Sequence, residues 1–125
     1  MPTLNSVIIK EKIPIKNLKL ILDEDDNIME CIKIGMSQNN VKECNVTDVN
    51  GKIKTGLISY MDKHQFKSIP LSSHGVLKAS GHFKYGYGEL WGKLNVFTDG
   101  RKPISGTLAK GIAHEGFELT LSFVE

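Results

Sequence analysis

Tight turns cut the C-terminal half of the chain into short, evenly spaced segments. Residues 76–85, 89–97, 102–112 and 117–124 are separated by "GYG", "TDG" and "AHEG". Apolar and polar side chains alternate along them, and alternation with period two puts one set on each face of a strand. Short glycine-bearing breaks join antiparallel neighbours. These segments predict a four-stranded antiparallel meander with tight connections.

The N-terminal half follows the same rhythm. "LNSVIIKEKI" (4–13) and "IKNLKLIL" (15–22) are rich in Ile, Leu and Val, and Pro14 marks a break or an edge between them. "DEDDN" (23–27) is a charged loop, and "IMECIKIGM" (28–36) lacks a sustained apolar helical stripe. "VKECNVTDV" (41–49) and "KIKTGLISY" (52–60) flank Asn50-Gly51, a pair suited to the positive φ angles of a type I′ hairpin turn. "FKSIPL" (66–71) carries Pro70 and reads as an edge strand, with at most one short helix around Asp62–Phe66. The expected fold is all-β: a single domain over 1–125, antiparallel, with about eight strands in a closed barrel or a two-sheet sandwich. At 125 residues it can bury a core without disulfides or a structural metal.

Gly81 and Gly92 interrupt two of these strands, where glycine costs backbone entropy and packs nothing. Taking Gly86-Tyr87 as a two-residue turn sets Tyr85 opposite Gly88, Gly81 opposite Gly92, His82 opposite Trp91 and Lys84 opposite Glu89. Taking "TDG" as a three-residue loop sets Phe97 opposite Arg101 and Gly92 opposite Gly106; pairing Ile112 with Phe117 brings Phe123 to Gly106. One face then collects Leu77, Ala79, Gly81, Phe83, Leu90, Gly92, Leu94, Val96, Ile104, Gly106 and Leu108. The other collects Lys78, Ser80, His82, Lys84, Trp91, Lys93, Asn95, Ser105 and Thr107. The glycine row reads as a sharp bend in a curved sheet, covered by an aromatic side chain. The alternative is a space for a small apolar ligand beside Phe83, Gly92, Leu94, Leu108 and Phe123.

Sixteen Lys and Arg against fourteen Asp and Glu give a net charge of +2, without the strong footprint of a nucleic-acid or membrane surface. No apolar run approaches the length of a membrane span, and no leader pattern opens the chain, so the expected compartment is the cytoplasm. Cys31 and Cys44 form no CxxC and no zinc spacing; a bridge between them would require export. No metal or cofactor motif is present. "GYGELWG" is a turn between strands, not a phosphate loop, and "SSHG" (72–75) lacks the G-x-S-x-G of a nucleophile elbow.

His64, His74, His82 and His114 are scattered, three of them in or beside turns, and no catalytic residue is assigned. The leading reading is a non-enzymatic binding or assembly protein. It contacts a protein partner, or a second copy of itself, through a sheet face or edge bearing Trp91, His82, Lys93 and Tyr87. Tryptophan anchors interfaces more than its abundance predicts, and uncovered edges invite pairing. The alternatives are an intracellular barrel holding an apolar small molecule, and a small enzyme whose site joins His82 or His114 to a carboxylate from a distant strand. Nucleic acid is the weaker partner, because Glu89 opposes Lys84 on the basic face.

Overall fold

From Ile15 to Leu22 the chain alternates outward Ile15, Asn17, Lys19 and Ile21 with inward Leu18, Leu20 and Leu22, and this period-two pattern forms strand β1 (Ile15–Leu22). The computed structural model describes residues 14–100 and 103–124, so the expected strand at 4–13 lies outside the described residues. After β1 come helix α1 (Ile28–Gln38), β2 (Glu43–Asn50), β3 (Lys52–Asp62), β4 (Gln65–Gly86), β5 (Glu89–Thr98), β6 (Ser105–Ala113) and β7 (Phe117–Val124). The fold is all-β and antiparallel, a single sheet in the order β1-β7-β2-β4-β3-β6-β5 that curls until β5 pairs with β4 again.

The helix replaces the non-helical segment expected at 28–36. Asn27 caps it, its Oδ1 accepting from the Glu30 N–H at 3.1 Å. Ile28, Ile32 and Met36, four residues apart, form its buried stripe. The helix lies against the inner face of β1, where a Cβ on Gly35 would come 2.7 Å from Leu20 Cδ2. Cys31 thus sits on the helix and Cys44 on β2, and both are free thiols.

Asn50-Gly51 does not turn a hairpin. β2 and β3 leave each other unpaired and run on almost as one strand, bent at Gly51 (φ +141°). A Cβ there would lie 2.8 Å from the Phe117 Cα, so the close approach of β7 requires glycine at the bend. The turn falls instead at Lys63-His64, both at positive φ, in the segment where a short helix was expected. From it a long ribbon unrolls in one register: Asp62 faces Gln65, Lys52 faces Gly75, and, beyond the bend, Val46 faces Gly81 and Glu43 faces Lys84. Between these stretches the two strands part, β2 toward β7 and β4 toward β5, each with a bulge. Pro70 lies in the half of β4 that pairs only with β3, which suits a residue without an N–H.

The meander holds through β4, β5 and β6, with two changes of register. The β4–β5 turn is Tyr87-Gly88, both at positive φ, so Gly81 faces Leu94 and Gly92 faces Phe83. Phe97 pairs with Ser105 and Gly106 with Val96; Arg101, its expected partner, lies outside the described residues. β7 leaves the meander to pair with β1 and β2, so Phe123 faces Lys16 and not Gly106. Each β4–β5 partner therefore moves by two positions, which preserves the two faces. Phe83, Leu94, Val96 and Leu108 are buried, and Lys78, Ser80, His82, Lys84, Trp91, Lys93 and Asn95 are exposed. Leu77 is the exception: the bulge after Val76 turns it outward, and Val76 takes the inward place.

Candidate functional site

The outer face of β1, β7, β2, β4 and β5 carries a row of polar residues in register across five strands. Asn17 faces Ser122, Ser122 faces Asn45, Asn45 faces His82, and His82 faces Lys93. The Ser122 hydroxyl donates to Asn17 Oδ1. Thr47 Oγ1 lies 3.3 Å from Ser122 Oγ. Near the far end of the face, the Thr107 hydroxyl donates to Asn95 Oδ1 at 3.0 Å.

His82 stands in this row between Asn45 and Lys93. Its Nδ1 lies 2.7 Å from Asn45 Oδ1, and its Nε2 lies 2.7 Å from Glu43 Oε1. Both ring nitrogens face a side-chain oxygen, so the ring is held from two sides. The expected partner of His82, Trp91, stands two pairs further along, opposite Lys84, and Lys84 in turn faces Glu43. Glu89, expected opposite Lys84, pairs with Gly86. The second row is thus Glu43, Lys84 and Trp91, an acid, a base and an aromatic ring side by side.

Trp91 is 59% exposed, and Tyr87, at the tip of the β4–β5 turn, is fully exposed. The four residues expected at a partner surface therefore share one exterior region. What the sequence did not reveal is the other half of the row: Asn17, Glu43, Asn45 and Ser122. They are outward positions of their own strands: the pairing of β2 with β4 brings Glu43 and Asn45 to His82, and β7, lying between β1 and β2, adds Ser122 and Asn17. A broad open cleft of about 1020 Å3 flanks the row, lined by Asn17, Glu43, Asn45, His82 and Ser122 together with Phe123 and Val41.

The alternative ligand residues are placed differently. Phe83, Leu94 and Leu108 are packed in the core, and the Phe83 ring fills the space over Gly81 and Gly92. Phe123 is separate from them, on the β7 side of the large cleft. The thiols offer no activated nucleophile: burial, followed by the charge of Glu43, pushes Cys44 up to about 11, and burial with the acids around helix α1 raises Cys31. Both histidines considered for an assembled site do meet a carboxylate, His82 with Glu43 and His114 with Glu24 at 3.2 Å. Among the described residues no cluster of three or more His, Cys, Asp or Glu could hold a metal ion. No helix among them is long and apolar enough to cross a membrane.

No protein-family model matches the chain, and no curated protein matches its sequence. Solved structures do share its fold. A metal-containing protein from Archaeoglobus fulgidus superposes with a TM-score of 0.76 at 15% identity, covering 88% of this chain and 80% of that one. A plant- and prokaryote-conserved (PPC) protein from Pyrococcus horikoshii gives 0.74 at 17% identity, covering 88% and 79%. A candidate DNA-binding protein from Ralstonia eutropha gives 0.72 at 12% identity, covering 86% and 76%. At these identities the likeness establishes the architecture; function rests on the residues of the site.

Proposed function

We propose that this chain is a binding and assembly protein whose outer sheet face, centred on His82 and Trp91, docks against a second copy of the same chain. The observation that carries this reading is the pair of registered rows. They place Glu43 beside Lys84 and His82 beside Lys93, with exposed Trp91 at the end. A face bearing both charge signs next to an aromatic anchor can complement itself across a two-fold axis, which suits a closed homo-oligomer. The hydrogen bonds of Ser122 to Asn17 and of His82 to Asn45 pre-order side chains of this face, which lowers the entropy lost on docking.

The same balance of charge disfavours a nucleic-acid backbone, although the likeness to the candidate DNA-binding protein from Ralstonia makes DNA the partner to test against. The reading requires no cofactor, and two free thiols accord with a reducing, cytoplasmic setting. Light scattering after size exclusion tests it. The wild-type chain should elute as an oligomer and Trp91→Ala or Lys93→Glu as a folded monomer, with added duplex DNA leaving the elution unchanged. A monomeric wild type, or a mass unaffected by either substitution, would overturn it.

A further inference from the structure

Away from the His82 face, two turns and strands β3 and β4 converge on a second cluster. The turn after β1 is tied to the β6–β7 turn by backbone bonds: Asp25 N to Ala113 O at 3.0 Å, Ala113 N to Asp26 O at 2.8 Å, and Gly116 N to Leu22 O at 3.0 Å. This brings Glu24 to His114, with Glu24 Oε1 3.2 Å from His114 Nδ1. The carboxylate is fixed on both sides. Its Oε2 accepts from the Glu115 N–H at 2.8 Å, and Oε1 pairs with Lys54 Nζ at 3.0 Å. Lys54 is itself held by Asp25 at 2.7 Å. The opposite ring nitrogen, His114 Nε2, lies 3.1 Å from the hydroxyl of Ser73 on β4.

The backbone at Ser73 adds an independent observation. Six non-glycine residues have positive φ among the described residues. Asp25, Asn40, Lys63, His64 and Tyr87 lie in turns, whereas Ser73 (φ +50°) lies inside a strand. Its neighbours pin that conformation: the Ser72 N–H donates to His74 Nδ1 at 3.0 Å, and the Gly75 N–H donates to Asp99 Oδ1 at 2.9 Å. A strained backbone that presents a hydroxyl to an imidazole is a recurrent feature of functional sites.

We infer that Ser73, His114 and Glu24 form an acyl-transfer site, with Ser73 as nucleophile, His114 as general base and Glu24 as the residue that positions His114. Hydroxyl to Nε2 and Nδ1 to carboxylate is the order of contacts that such a set requires. It is recognised by geometry and roles and not by a sequence motif. Ser73 Oγ attacks the carbonyl carbon of an ester while its proton passes to His114 Nε2. The tetrahedral adduct collapses, the bond from carbon to the leaving oxygen breaks, and the Nε2 proton goes to that oxygen. Water then attacks the acyl-Ser73 carbonyl by the same proton route, releasing a carboxylic acid and restoring the hydroxyl. Ser73 is exposed on the strand surface, which gives a small, activated carboxylic ester, the inferred substrate class, access to the hydroxyl.

The probe is p-nitrophenyl acetate with the intact chain. Nitrophenolate release and peptide mass mapping should show acetylation concentrated at Ser73, with adjacent Ser72 as the internal reference. Ser73→Ala and His114→Gln should each lower the release rate about 100-fold or more. Glu24→Gln should lower it and move the acid limb of the pH–rate profile, with partial recovery in Glu24→Asp, a pattern that loss of a merely structural contact would not give. Acetylation spread equally over Ser72 and Ser73 would overturn the assignment, and so would a Ser73 adduct forming at the wild-type rate in His114→Gln. The wild-type labelling pattern decides the question even if a variant fails to fold.

Discussion

The ring of Phe83 lies across Gly92, its partner on the neighbouring strand. A Cβ on Gly92 would sit 2.8 Å from the ring Cδ1 and run into the carbonyl oxygen of His82. The same ring comes within 3.1 Å of a Cβ placed on Gly81. One fully buried aromatic side chain thus packs against two strand glycines.

Gly92→Val should therefore destabilise the fold much more than Lys93→Val. Gly92 has φ +143°, where a side chain is strained, in addition to the clash. Strain and overpacking together predict a loss of about 3 kcal/mol or more, against about 0.5 kcal/mol for the exposed neighbour. Denaturant unfolding of both variants checks this, and equal small losses would contradict it.

Phe83→Ala removes the filler itself. The expected loss is about 3–5 kcal/mol, with an apolar hole left above the two glycines. Thermal unfolding in the presence and absence of benzene reads both effects, since a dry apolar cavity of this kind takes up such a ligand and the midpoint then rises.

At the start of helix α1, Asn27→Ala removes the side chain that accepts the Glu30 N–H. The expected cost is about 1 kcal/mol, and Asn27→Asp should retain most of the stability. Equilibrium unfolding of the two variants distinguishes loss of the cap from loss of side-chain volume.

Glu24 gives the stability a pH dependence. The backbone N–H of Glu115, with Lys54, lowers its pKa from 4.5 to about 2. A carboxyl depressed by folding contributes stability that is fully present above its unfolded value and fades as pH falls through the folded one. The contribution is therefore present above about pH 4.5 and lost toward about pH 2. Glu24→Gln should flatten this part of the curve of thermal midpoint against pH, while leaving its shape above neutrality unchanged.

Much of this architecture was legible in local alternation. The inner and outer faces of β4 and β5 were readable even though the turn sits one residue later than expected, because that displacement moves each partner by two positions and preserves the side on which every residue lies. Distant pairings were not readable. Asn50-Gly51 carries the chemistry of a hairpin turn, yet the approach of Phe117 makes it a bend, and Lys63-His64 takes the turn without the usual turn residues. The helix did leave a signal, Asn27 three residues before Glu30 and Ile28, Ile32 and Met36 four apart, but short β-rich runs resemble it closely. At the site, His82, Lys93, Trp91 and Tyr87 could be read from one hairpin. Asn17, Asn45 and Ser122 come from three strands whose adjacency only the closed sheet determines.

Trp91 is the chain's single tryptophan, so its fluorescence reports on the proposed docking face alone. As protein concentration rises through the association range, its emission maximum should move to shorter wavelength and its quenching by acrylamide should fall. An emission maximum and quenching constant that stay fixed while the chain remains monomeric would contradict the assembly of this face.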